Sequence, residues 1–182
     1  MTDFLQDHPD GVILALDEMS LYFQATLTHV WAPRGQTPIV SIHPQRDCRH
    51  FYGALNLRDG WEVALPALEQ TSAVTANFLM ILLMLYSQPI LLLLDRAPWH
   101  FGKDMRQLLA TTDRLQVLHF PPACPDLNPQ EHVWAQAREA ISHNHTYRQF
   151  PPLLDDFETY LNETLFNTDF MDAYSPLGLG VF

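Results

Sequence analysis

The chain has 182 residues, enough for one domain with a sizeable core, and its 47% hydrophobic content is that of an ordinary globular protein. A net charge of -11, with Lys103 the only lysine, argues against a chain that grips nucleic acid through a basic face of its own; either nucleic acid is not the partner or a separate basic module supplies the grip. Cys48 and Cys124 lie far apart, match no metal-ligand spacing and read as free thiols of a reducing compartment, and no secretory signal pattern opens the sequence.

In chain order, residues 1–9 read as a frayed, polar lead-in. Residues 12–16 are a short, wholly apolar run, the pattern of a strand buried on both faces of a sheet. Residues 25–31 alternate loosely and predict a second strand, closed by a turn over residues 32–38 with Pro33, Gly35 and Pro38. Residues 49–57 predict a third strand, turned by Arg58-Asp59-Gly60 into a partner at 61–65. Residues 71–87 form a long helix, apolar almost all round and so expected to be buried. Residues 78–94 approach the length of a membrane span, but Pro89 would break a helix there, and a helix followed by a strand at 89–94 fits better. A helix at 103–112, a strand at 115–120, an extended Pro121-Pro122 loop and helices at 128–142 and 152–166 follow, and the tail from Thr168 shows no period. This order predicts an α/β domain, a mixed sheet with helices on its faces and the first strand central.

The two buried strands both run into acid: the first into Asp17-Glu18, the later one into Asp95. The carboxyl ends of such strands are where α/β folds place chemistry, and an unpaired buried carboxylate needs a reason. Asp17 is the better ligand of its pair, because alternation along a strand turns Glu18 to the other face. Asp95 also reads as an ion-pair partner of an arginine or a cap on the 103–112 helix, and His100 as either a hydrogen-bond partner of the site or a plain loop histidine. Glu131 has its own ordinary explanation: Asn128 as N-cap, Pro129 at the first helical position and Glu131 where a capping-box acid sits. The stiff 121–126 lead-in suggests instead that the start of this helix is being fixed in place. Val133 and Trp134 read as core, and Arg138 as a solvated charge. Three carboxylates converging on one point would repel one another unless a cation lay between them, the donor set of a hard divalent metal such as Mg²⁺. No nucleophile elbow, glycine-rich phosphate loop or His-Glu-x-x-His spacing is present.

Four blocks, Leu16-Asp17-Glu18, the run from Trp31 to Pro38, the run from Leu94 to His100 and the run from Pro125 to Trp134, together resemble the mariner-like DDE transposases, in particular the bacterial insertion-sequence branch. They stand in the family's order across nearly the whole chain, and the spacing between Asp95 and Glu131 is similar to that between its second Asp and its Glu. The resemblance implies a single ribonuclease H-like catalytic domain over residues 1–182, with Asp17, Asp95 and Glu131 as catalytic and metal-holding residues. Glu18, His100 and Asn128 would support them. It implies Mg²⁺, with Mn²⁺ as substitute, as two ions; DNA partners, namely transposon ends and target; a homodimer; no membrane; and a bacterial cytoplasmic location. Arg96 departs from the family, which often has Asn after the second Asp. The helix-turn-helix region that the family carries N-terminally is not expected here, which fits the acidic charge and predicts weak DNA binding by this chain alone. Two other readings stand beside strand cleavage and transfer: a non-catalytic domain acting through protein partners, and a nuclease for RNA–DNA hybrids.

Overall fold

The computed structural model describes residues 1–37, 39, 45–122 and 127–167. Five strands, β1 (Val12–Tyr22), β2 (Cys48–Asn56), β3 (Glu62–Ala67), β4 (Ile90–Leu94) and β5 (Leu115–His119), form one sheet in the order β3-β2-β1-β4-β5. β1 is central, antiparallel to β2 and parallel to β4, so the sheet is mixed as expected. Five helices, α1 (Thr2–Asp7), α2 (Ser72–Leu85), α3 (Lys103–Thr111), α4 (Gln130–Ala137) and α5 (Phe150–Glu163), complete the fold.

Alternation sorts the strand side chains into two cores. Ile13, Ala15, Leu91 and Leu93 pack with Val133 and Trp134 of α4 and Phe157 of α5. Leu14, Leu16, Leu92 and Leu94 pack on the opposite face with Phe78 and Leu82 of α2 and Met105 of α3. Strands covered on both faces have no polar side, so residues 12–16 and 90–94 are continuous apolar runs.

β1 runs six residues beyond the expected Leu16 because β2 pairs along its distal half, from Asp17 opposite Gly53 to Tyr22 opposite Cys48. The recorded pairing with β4 ends at Ala15 opposite Leu93, and beyond it polar residues enter the strand. Residues 25–31 are not a strand: among the described residues their one bridge runs from Thr26 to His143, Thr28 bonds to the Asn144 side chain, and Leu27, Val30 and Trp31 are exposed. The turn after them is present at Pro33–Gln36, with Gly35 at φ 85° and the Gln36 N–H donating to the Pro33 carbonyl; Pro38 lies outside the described residues, as do Cys124 and the tail from Thr168. The lead-in is also different from expectation, since Phe4 is buried in the α4–α5 core and pins α1 there.

α2 starts where expected, with the Thr71 side chain accepting from Val74 N–H at 3.3 Å. Only one side of it is buried: Met80, Ile81, Met84 and Leu85 are exposed, so an apolar circumference did not mean burial all round. It ends at Leu85, and among the described residues no helix is long and apolar enough to cross a membrane. α4 begins two residues after Asn128, and from Arg138 to Ser142 it loosens into a π turn.

α4 can lie close against the sheet because Gly53 has no side chain. A Cβ there would collide with Glu62 Oε1, Gln130 Nε2 and the Trp134 ring. Gly53→Ala is therefore expected to lower stability by about 1–3 kcal/mol, the usual penalty of overpacking a filled core, and urea unfolding measures it.

Candidate active site

Asp17 is the sixth residue of β1, and Asp95 is the first residue after β4. The two strands are parallel, with Val12 opposite Ile90 and Ala15 opposite Leu93, and the same register continued by two residues sets Asp17 level with Asp95. Asp17 continues the alternating set of Ile13 and Ala15, which faces α4 and α5, whereas Asp95 lies beyond the end of β4 and its carboxylate turns to His100. Glu131 lies in the first turn of α4, on that same side of the sheet, with its carboxylate exposed.

The contacts agree with this placement. Trp134 Nε1 donates to Asp17 Oδ2 at 3.2 Å, so this buried tryptophan is both core and a hydrogen-bond donor to the candidate site. Its position three residues after Glu131 puts the two on neighbouring faces of one helix, the signal that could have exposed this role. Burial raises the Asp17 pKa from 3.8 to about 7, and the charges of Glu18 and Glu131 push it the same way, against a backbone hydrogen bond at Glu18 and the weaker one from Trp134.

Glu18 points to the opposite face, as alternation requires, and meets His100. This histidine, in the 3₁₀ turn Pro98–Phe101, is buried, with Nε2 3.1 Å from Glu18 Oε1 and Nδ1 2.9 Å from Asp95 Oδ1. Burial opposes a charge on the ring, but the hydrogen bond and charge of Glu18, with the charge of Asp95, outweigh it and raise its pKa. His100 thus lies between two carboxylates, Glu18 of β1 and Asp95 just after β4, and both favour its protonated form. Asp95 Oδ1 also accepts from the Ala97 N–H at 2.9 Å.

Two further residues hold the Asp95 segment. His119 Nδ1 lies 2.9 Å from the Asp95 carbonyl, its ring stacked on Phe101. Arg96, the departure noted in the sequence, turns outward and donates from Nε to the Phe120 carbonyl at 3.1 Å, tying the exits of β4 and β5 together. Neither contact was legible in the sequence, because each depends on β5 lying beside β4. Asn128 is buried and accepts the Gln130 N–H on Oδ1 at 3.2 Å, which shapes the entry to α4, although Pro129 takes the N-cap position.

The structure therefore brings Asp17 and Glu131 within electrostatic reach and sets Asp95 level with Asp17, but Asp95 is engaged by His100 and Ala97. Among the described residues no group of three His, Cys, Asp or Glu side chains is arranged to hold a metal ion. The donor chemistry nevertheless fits one: three carboxylates, with burial and the neighbouring acids raising the Asp17 pKa to about 7.

Residues 12–153 match the family of DDE superfamily endonucleases. In fold, the chain is similar to the Mos1 transposase in its paired-end complex with the left transposon end, at TM-score 0.64 and 17% identity over 84% of this chain and 48% of that one. It is similar too to the catalytic domain of Mos1 mariner transposase, at TM-score 0.57 and 15% identity over 84% of this chain and 70% of that one. At such identities the likeness shows the fold, which is ribonuclease H-like. A curated relative, the uncharacterized protein y4pE/y4sA of Sinorhizobium fredii (strain NBRC 101917 / NGR234), is 31% identical over 69 residues, covering 38% of this chain and 45% of that protein. The chain thus spans about half the length of the first of these transposases and of the curated relative. With the family matched over most of its length, the chain belongs to the DDE superfamily endonucleases.

Proposed function

We propose that this chain is a transposase catalytic domain that cleaves DNA strands at transposon ends and joins them to target DNA, with Asp17, Asp95 and Glu131 as its catalytic carboxylates. The observation that carries this reading is the parallel register of β1 and β4, which brings Asp17 and Asp95 to the same level of the sheet, with α4 presenting Glu131 on the face of Asp17. The three side chains would hold Mg²⁺, or Mn²⁺ in its place, as two ions. Such ions activate the attacking oxygen and stabilise the leaving one in phosphodiester displacement. His100 keeps Glu18 and Asp95 in place from the opposite face, and Trp134 orients Asp17. DNA is the partner the family likeness supports, since the similar Mos1 chains are solved on transposon ends. With a net charge of -11 this chain would work beside a basic module that grips the DNA, and as a homodimer.

Each carboxylate is expected to be needed. Asp17→Asn, Asp95→Asn and Glu131→Gln should each lower Mg²⁺-dependent nicking of DNA by about 10³-fold, the scale of several kcal/mol of charge stabilisation. Calorimetric Mn²⁺ binding by the wild type should be lost in Asp95→Asn. Nicking that survives in Asp95→Asn would sink the assignment.

The raised carboxyls also set a pH dependence. Asp17, raised from 3.8 to about 7, stays protonated in the folded chain where the unfolded chain has released its proton, and burial does the same to Glu62. The folded state then binds more protons, so this share of stability is full below about pH 4 and is lost as pH rises towards 7. Urea midpoints of the metal-free protein should fall across that window. Asp17→Asn should flatten the fall, and added Mg²⁺ should reverse it.

A further inference from the structure

On β3, beyond the three carboxylates, lies a second acid in an unusual place. Glu62 is 4% exposed, and its Oε2 has no hydrogen-bond partner. Its Oε1 accepts from Gln130 Nε2 at 2.6 Å. Gln130 is fully buried and is the first residue of α4; its own Oε1 accepts from the Leu55 N–H of β2 at 3.2 Å. One side-chain amide thus ties the first turn of α4 to two strands at once. Gly53, opposite Asp17, leaves the space in which Glu62, Gln130 and Trp134 meet.

We infer that Glu62 and Gln130 are a buried positioning pair that fixes the first turn of α4 on the sheet, and through it the stand of Glu131 and Trp134 relative to Asp17. A polar pair here is a poor device for stability alone. Burying an acid with one oxygen unpartnered is unfavourable, and well-packed apolar residues in its place are often neutral or stabilising. Directed hydrogen bonds do what apolar contact does not: they set one register of helix against sheet. Trp134 stands one turn beyond Gln130 on α4 and reports that register through its bond to Asp17.

The inference rests on the reading of Asp17 and Glu131 as site residues, so its test separates the two. The readout is the indole N–H resonance of Trp134 in the metal-free full chain, identified by its disappearance in Trp134→Phe. Glu62→Gln keeps the accepting oxygen and should leave the resonance in place. Gln130→Met, and the double variant Glu62→Leu with Gln130→Leu, should move it to the unbonded position and speed its solvent exchange roughly tenfold, the scale of one lost hydrogen bond. The double variant exchanges polar for apolar packing, and is expected to unfold at or above the wild-type temperature while still shifting the resonance, which a purely structural role would not do. An unchanged resonance in either folded variant overturns the pair. Mn²⁺ affinity should fall about 10-fold to 100-fold in the same variants, as when supports of metal ligands are removed. A shifted resonance with full Mn²⁺ affinity would uphold the positioning pair and overturn Glu131 as a ligand.

Discussion

The structure depends on the parallel pairing of β1 with β4. Both strands are buried on both faces, so their side chains are apolar until the pairing runs out, and at that point each yields an aspartate. Slipping the register by one residue would turn every core side chain of a strand to the wrong face. The same packing that holds the sheet together therefore holds Asp17 level with Asp95. The positions of two candidate catalytic groups follow from hydrophobic burial without any direct contact between them.

Around that pairing the acids divide between the faces of the sheet. On one, Glu18 and Asp95 share the buried imidazole of His100, and their charges raise its pKa. On the other, Asp17 accepts from the neutral indole of Trp134 and feels the negative charges of Glu18 and Glu131. Burial first, and then the charges of Glu18 and Glu131, raise the Asp17 pKa to about 7. A divalent cation is the simplest species that would lower it.

How much of this was legible differs by element. The apolar runs at 12–16 and 89–94 announced buried strands, because burial on both faces leaves a local pattern, and the acids after them marked candidate site residues. The hairpin at Arg58-Asp59-Gly60 was legible for the same reason, Gly60 taking the φ of 74° that its turn requires. Residues 25–31 read as a strand because alternation is a local signal, but among the described residues no strand pairs with them. Phe4 gave no signal, since one aromatic in a polar segment does not say whether a core waits for it. α2 looked buried on every side because its own residues cannot tell how much of its circumference the fold will cover.

Within the site the same division holds. Asp17, Asp95 and Glu131 could be named from local pattern and resemblance, and the turning away of Glu18 followed from alternation. By itself the sequence determined the buried strands, the acids that end their apolar runs and the acidic balance of the chain, because these are properties of neighbouring residues. Only the tertiary structure decided that His100 bridges Glu18 and Asp95, that Trp134 bonds Asp17, and that Gln130 reaches Glu62 and Leu55. Apart from the local His100–Asp95 pair, those contacts join residues separated by tens of positions, and a hydrogen bond between such residues exists only once the sheet order β3-β2-β1-β4-β5 has brought them within 3 Å or so of each other.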